Sequence, residues 1–184
     1  MGLCRNHRRI AYLFRIKIMK FLHLAIIILS LACTSCAKTD YAGILVTKVF
    51  DGDTLRLANG EKVRLLCIDT PEMYESDKLF RDAQRTGEDI ETIMARGRES
   101  YKFTKKLVEG RRVMLEFDVE KRDKYGRLLA HVFIADTQLF LNAEIIKQGY
   151  AEPMIIAPNL KYGDYFQGLY QEARENKRGL WGNN

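Results

Sequence analysis

Short runs of alternating apolar and polar residues open the globular part of the chain and predict a β-meander. The first run, Ile44–Phe50, is stopped by Asp51-Gly52, a common tight-turn pair. Thr54–Leu57 then alternates polar and apolar side chains, and Asn59-Gly60 is the strongest short signal for a hairpin. The next apolar run, Lys62–Ile68, supplies another strand. The sequence therefore predicts three consecutive strands in this region.

The middle of the chain changes its pattern twice. Residues 73–87 are polar, charged and without a clear period, so we interpret them as a surface loop. From Ile90 to Val108, apolar side chains recur at helical spacing, and Gly110 is a typical helix end. Gly97 inside this stripe weakens the prediction of one continuous helix.

Two further strands and two further helices are predicted after the stripe. The strands are Val113–Phe117 and Leu128–Ala135, and the helices are about Leu139–Gln148 and Tyr162–Asn176. The fold class is therefore α+β. Five strands with helices inserted after the third and after the fifth suit a small Greek-key β-barrel of the oligonucleotide-binding (OB) type, with three helices.

The N-terminal residues hold all of the excess positive charge. Of 30 Lys and Arg, six lie in residues 1–36, which contain no acid, and the remaining 24 balance the 24 Asp and Glu. Bulk charge therefore gives no support to nucleic-acid binding. The apolar run Phe21–Ala32 is too short to cross a membrane but is typical of a secretory signal, and Met19 is a candidate for the true start.

Small residues before a cysteine follow the apolar run, which predicts a signal peptide of the lipoprotein type over residues 1–36. Cys36 is the predicted lipidation site, Cys33 is nearly as good, and simple secretion stays open. Residues 37–43 are interpreted as a tether and residues 44–184 as the folded domain. Within that domain Cys67 stands alone in an apolar run, which favours a small buried side chain over a nucleophile.

Three carboxylates and an arginine are concentrated between residues 51 and 72. Asp53 and Asp69 offer the hard oxygen ligands that Ca²⁺ or Mg²⁺ requires, although each could instead be a turn or cap residue. Glu72 could orient or deprotonate water, or be a solvated acid. Strict alternation puts Arg64 and Asp69 on opposite faces of a strand. They can share a site only if the strand ends or bulges near Cys67-Ile68.

Four blocks of sequence, taken in order, resemble the staphylococcal nuclease (thermonuclease) family. They are Asp51–Thr54, Arg64–Glu72, Phe103–Lys106 and Asp123–Arg127, and the resemblance covers about residues 44–181. It implies an OB-type barrel with three helices and one Ca²⁺ in an active site.

The resemblance also implies residue roles. Asp53 and Asp69 would be Ca²⁺ ligands, Thr70 would add its backbone carbonyl, and Glu72 would be the general base or position the water. Arg64 and Arg127 would clamp the phosphate and stabilise its transition state. Substrate contacts are expected from two further residues of the last block, Lys124 and Tyr125.

The expected function is that of an exported Ca²⁺-dependent endonuclease acting on DNA and RNA and leaving 3′-phosphate ends. We expect a monomer without an obligate protein partner, touching a membrane only through a lipid anchor. A catalytically inactive nucleic-acid- or protein-binding module on the same barrel is the alternative. Two departures from the family stand out. The segment after Glu72 is enlarged, and Met154–Ala157 replaces two tyrosines that would stack on a base.

Overall fold

The computed structural model describes residues 41–182. The predicted leader, including Cys33 and Cys36, lies outside the described residues. The first strand begins at Ala42, so the last two residues of the predicted tether belong to that strand. No helix within residues 41–182 is long and apolar enough to cross a membrane.

Five strands close into a barrel in the order β1-β2-β3-β6-β5. All neighbouring pairs are antiparallel except β3 and β6, which run parallel. The predicted meander and the OB-type barrel are thus confirmed. The bounds are β1 Ala42–Val49, β2 Thr54–Leu57, β3 Lys62–Leu65, β5 Arg112–Glu116 and β6 Leu128–Ile134.

The predicted third strand is broken in two. After β3 the backbone of Cys67 adopts a left-handed conformation with φ of 60°, and β4, Ile68–Asp69, then pairs with β7, Glu152–Pro153, outside the barrel. A non-glycine residue at positive φ cannot continue a strand, so the alternation of side chains is reset. This is the break that a shared site of Arg64 and Asp69 requires.

Within residues 41–182, four α-helices lie around the barrel rather than the predicted three. They are α1 Asp77–Thr86, α2 Ile90–Val108, α3 Leu141–Lys147 and α4 Gly163–Glu175, followed by a short 3₁₀-helix, Gly179–Trp181.

The interpretation of residues 73–87 as a surface loop was wrong, because α1 occupies most of that segment. The Ser76 hydroxyl accepts a hydrogen bond from the Leu79 N–H at the start of α1, and Gly87 ends the helix in a left-handed conformation. Leu79 is the single buried residue of α1, so the helix has no apolar period to recognise.

Buried aliphatic side chains fill the barrel and the space beneath α3 and α4. One buried polar residue, Asn142 at the start of α3, connects this helix to β6 and to the segment after β3. Its amide nitrogen donates to the Leu66 carbonyl at 3.0 Å, and its side-chain oxygen accepts from the Val132 N–H at 2.9 Å. The main apolar members of the core are Val46, Leu55, Leu57, Val63, Leu65, Ile68, Val113, Ile134, Leu141, Ile145 and Phe166.

Candidate active site

One cavity of about 320 Å³ gathers most of the predicted site residues. It lies where the β1–β2 turn, the end of β3, the segment after β4 and the turn before β6 meet. Since β3 and β6 are parallel and in register from Val63 and Leu128, the residue before β6 lies beside β3. The predicted residues lining this cavity are Asp53, Arg64, Asp69, Thr70, Glu72 and Arg127.

The Arg64 guanidinium is held at the centre of the cavity by backbone and side-chain oxygens. Its Nη1 donates to the carbonyls of Leu65, at 3.0 Å, and Ile68, at 2.8 Å. The same atom lies 3.0 Å from Asp53 Oδ2, while Nη2 lies 2.9 Å from Asp69 Oδ1. Because the chain turns back at Cys67, both the Ile68 carbonyl and Asp69 reach the arginine that precedes them.

Asp53 is buried and fully engaged. Its Oδ2 accepts from the Thr70 N–H at 3.1 Å and from the Thr70 hydroxyl at 3.0 Å, besides pairing with Arg64. Its Oδ1 accepts a 3.2 Å hydrogen bond from the Thr54 hydroxyl. These contacts lock the β1–β2 turn to the segment after β4, so Asp53 and Asp69 keep a fixed relation through Arg64.

Asp51 adds a third carboxylate at the edge of this cavity. Its Oδ1 accepts from the Asp53 N–H at 3.0 Å. Burial, reinforced by the charge of Asp53, raises the pKa of Asp51 to about 7. An acid with so high a pKa at the wall of a polar cavity marks a site where further positive charge would be stabilised.

Arg127 reaches the same cavity from the turn before β6. Its Nε pairs with Asp123 Oδ2 at 2.7 Å, so Arg127 forms an ion pair within its own turn. The guanidinium also lies 5.7 Å from the centre of the Tyr125 ring. Within residues 41–182 its two terminal nitrogens make no hydrogen bond or ion pair, so they can donate to a phosphate. Lys124 and Tyr125 line an adjoining cavity of about 450 Å³ together with Arg127. The structure thus places both predicted substrate-contact residues beside the arginine.

Comparison with known proteins agrees with this geometry. The family of staphylococcal nuclease homologues matches residues 62–183. The chain belongs to the staphylococcal nuclease homologue family. Thermonuclease of Staphylococcus intermedius is 33% identical over 150 residues, which cover 79% of this chain and 80% of that protein. An uncharacterized protein of Methanocaldococcus jannaschii is 37% identical over 146 residues, 74% of this chain and 70% of its own length. Endonuclease YncB of Bacillus subtilis is 33% identical over 143 residues, 75% of this chain and 61% of its own.

Lys78 also lies in the candidate active site, and the sequence analysis did not predict it there. From the first turn of α1 its ammonium lies 3.0 Å from Asp69 Oδ2 and 3.1 Å from Glu72 Oε1. It also donates to the Thr70 carbonyl at 3.1 Å. Burial lowers the pKa of Lys78, but Asp69 and Glu72 outweigh that effect and hold it above its usual value. Burial raises the pKa of Asp69 despite its two cationic neighbours. The sequence signal that could have placed Lys78 is Ser76, a residue type that commonly caps the start of a helix.

Oxygens beside Lys78 and Arg64 suit a hard cation. The Asp69 carboxylate and the Thr70 carbonyl, which contact Lys78, and the Asp53 carboxylate, which pairs with Arg64, are the ligand types that Ca²⁺ and Mg²⁺ take. The ammonium already rests on Asp69, Thr70 and Glu72, so a positive charge is accommodated there. Within residues 41–182 no three acidic, histidine or cysteine side chains form a ready-made metal cage. A bound ion would therefore rely on the backbone carbonyl and on water.

Glu72 is positioned by the close approach of α2. Helix α2 is continuous through Gly97, and a Cβ at that position would lie 2.4 Å from the Glu72 carbonyl oxygen and 2.7 Å from the Met73 nitrogen. Glycine therefore lets the Glu72 backbone pack directly on the helix. Gly97, which weakened the prediction of a continuous helix, is thus the residue that allows the helix to position Glu72.

Cys67 is buried at the strand break, and its thiol donates to the Asn159 carbonyl at 3.3 Å. Burial raises the pKa of this thiol to about 11, which suppresses the nucleophilic thiolate. A structural role for Cys67 fits this environment.

Proposed function

We propose that this protein is a Ca²⁺-dependent endonuclease that hydrolyses phosphodiester bonds of DNA and RNA. The single observation that carries the proposal is the cavity in which Arg64 and Arg127 face Asp53, Asp69 and Glu72. Two guanidinium groups suit a phosphate, and the carboxylates suit a cation and a water molecule. Thermonuclease and endonuclease relatives support the same chemistry.

The protein's own residues account for substrate binding and for charge stabilisation. The two free nitrogens of Arg127 donate to non-bridging phosphate oxygens, and Arg64, held by two backbone carbonyls, donates from the other side. In-line attack by water increases negative charge on those oxygens, so both arginines bind the transition state more tightly than the substrate. Glu72 orients the water and takes its proton. The 5′ P–O bond breaks, the departing 5′ oxygen takes a proton from solvent water to become a hydroxyl, and a 3′-phosphate end remains.

The metal would be held by Asp53, Asp69 and the Thr70 carbonyl, with Ca²⁺ as the proposed ion. When bound it would supply Lewis-acid stabilisation of the phosphate charge. Loss of either arginine is expected to lower the rate by about 10²–10³, as for a removed oxyanion donor.

We also propose that the protein is exported, either lipidated at Cys36 or at Cys33, or secreted after cleavage nearby. The apolar run and small residues before the cysteines support this, and mass spectrometry of the mature N-terminus decides among the three. We further propose a monomer without an obligate protein partner, which sedimentation of the purified protein tests.

The nuclease proposal is tested by hydrolysis of single-stranded DNA with Ca²⁺, with a chelator, and in the Glu72→Ser variant. Activity should be lost in the last two conditions. The matched control is Glu75→Ser, which removes a nearby exposed carboxylate and should leave activity unchanged. If the folded protein binds DNA but does not cleave it in the presence of any divalent ion, it is a binding module instead.

A further inference from the structure

Three cationic side chains form a row on the outer face of the first three strands. Lys48 on β1 lies opposite Arg56 on β2, and Arg56 lies opposite Lys62 on β3. All three are exposed, and their charged groups lie 5.0, 5.1 and 5.0 Å from the centre of the Phe50 ring. The charges are therefore within about one Debye length of each other, ~10 Å at 0.1 M salt. We call Lys48, Arg56 and Lys62 the cation row.

The protein does not neutralise the cation row. None of the ion pairs within residues 41–182 includes one of its members. Glu109 interacts with Lys48 through its charge, but its carboxylate is engaged by Lys105 and by the Val49 N–H. Like charges opposite each other on neighbouring strands destabilise a sheet. An external anion bound across the row would remove that repulsion.

The cation row continues the candidate active site along the same face of the barrel. The next outward-facing pair on β2 and β3 is Thr54 opposite Arg64, two residues beyond Arg56 and Lys62. Two strand residues span about 6.6 Å, which is comparable with the separation of neighbouring phosphates in a nucleic-acid chain. An extended strand whose phosphate lies on Arg64 would therefore present its next phosphates to the row.

We propose that the cation row binds the backbone of single-stranded nucleic acid next to the phosphodiester that is cleaved. This inference rests on the proposed nuclease function and assigns the path of its substrate. Strands 2 and 3 of OB-type barrels offer a face of this kind to oligonucleotides. Because lysine and arginine heads contact phosphates and not base edges, the row adds affinity without sequence preference.

The test replaces all three members of the cation row by glutamine and measures binding of a short single-stranded oligonucleotide in the Glu72→Ser background. Affinity should fall at least tenfold at low salt. The slope of log affinity against log salt should become shallower by about 2, since each phosphate contact on a single strand contributes about 0.7. The matched control replaces three exposed lysines outside the row by glutamine, namely Lys102 and Lys147 on helices and Lys177 in the turn after α4. An equal effect of the control would show that only net charge matters and would overturn the proposal.

Hydrolysis separates this inference from the nuclease proposal. The cation-row variant with Glu72 intact should cleave a dinucleotide, which has one phosphodiester, at the wild-type rate and a longer strand with a raised KM. If the wild type cleaves neither substrate, the nuclease proposal itself fails. If both substrates are cleaved normally, only the cation row is refuted. Binding of the row to anionic vesicles but not to oligonucleotides would also refute it.

A separate observation concerns Lys78, whose ammonium contacts two of the three groups proposed to hold the metal, Asp69 and the Thr70 carbonyl. It contacts Asp69, Thr70 and Glu72, and a fourth oxygen, Asp82 Oδ2, lies 3.4 Å away on the same helix, one turn on. Two positive charges cannot share this set of oxygens without strong repulsion. Asp82 offers the ammonium an alternative partner that requires only rotation of the lysine side chain.

We infer that Lys78 is an internal cation that competes with the divalent ion, and that metal binding moves its ammonium to Asp82. The enlarged segment after Glu72 thereby regulates metal binding at the site, because its helix α1 carries both Lys78 and Asp82. The wild-type affinity for the ion is then weaker than the oxygens alone would give.

Calorimetric titration of Ca²⁺ into the wild type and Lys78→Met tests this competition without any substrate. At one fixed, mildly alkaline pH the variant should bind Ca²⁺ at least tenfold more tightly than the wild type. Arg85→Met is the matched control, because Arg85 pairs with Asp82 on the same helix but does not touch Asp69 or Glu72. Lys78→Gln checks that the result follows the charge and not one side chain. Equal or weaker binding by both Lys78 variants would refute the competition, whereas absence of binding in every protein would refute the metal proposal as well.

Discussion

Replacement of Gly97 by alanine tests whether the contact between α2 and the Glu72 backbone sets the geometry of the active site. The new Cβ would lie 2.4 Å from the Glu72 oxygen and 2.5 Å from its carbonyl carbon, where ordinary contact begins near 3.4 Å. Both atoms belong to backbone, so no side chain can rotate away. The Glu72 segment must therefore move outward by about 1 Å, and a displacement of that size in a catalytic group lowers rates by about 10²-fold.

Stability should change much less than activity in Gly97→Ala. Alanine favours the helix by about 1 kcal/mol over glycine, which offsets part of the ~1–3 kcal/mol that overpacking costs. The assay compares kcat on single-stranded DNA with the free energy of unfolding in urea. We expect kcat to fall about 100-fold while unfolding stays cooperative.

Gly168→Ala is the matched control on another helix. A Cβ there meets nothing within 4 Å, so the same substitution should raise stability slightly and leave kcat unchanged. Wild-type kcat in Gly97→Ala would refute the argument that this close approach positions Glu72.

Three further predictions concern other parts of the molecule. His131 is buried with both ring nitrogens unbonded, and burial lowers its pKa to about 4 from 6.5. As pH falls, the unfolded chain therefore takes up this proton before the folded protein does. Between pH 7 and pH 4 the free energy of unfolding of the wild type should fall by up to ~3 kcal/mol from this group. Urea unfolding of His131→Leu should show a loss that is smaller by this amount. Asn142→Leu leaves the Leu66 carbonyl and the Val132 N–H without their partner and should lower the free energy of unfolding by about 2–5 kcal/mol. Arg127→Lys keeps the charge but loses the forked donors, so kcat/KM should fall about 10²-fold or more; near-normal kcat/KM would remove Arg127 from the phosphate clamp.

The strands and the residues that line the cavity could be predicted because their signals are local. Alternation and turn pairs give the barrel strands, and the four blocks of sequence carry the carboxylates and arginines. Strict alternation, with the requirement that Arg64 and Asp69 share a site, placed the break near Cys67-Ile68. The left-handed backbone of Cys67 that makes the break could not be predicted, because a left-handed cysteine has no sequence signal. Helix α1 was missed since it buries only Leu79. Lys78 could not be placed in the site without that helix.

The pairing of β4 with β7 has a consequence for the order in which the chain is made. Asp69 is fixed by a strand of two residues whose partner, Glu152–Pro153, is translated long after Arg127. The Met154 N–H donates a hydrogen bond to the Cys67 carbonyl at 3.0 Å, which stabilises the backbone where β3 and β4 are separated. A growing chain on the ribosome thus carries every proposed catalytic side chain before it has the strand that sets Asp69. We expect chains truncated after Ala151 to be inactive, because they lack both β7 and α4 with its buried Phe166. The proposed nuclease activity would then appear only after the chain has been translated through α4.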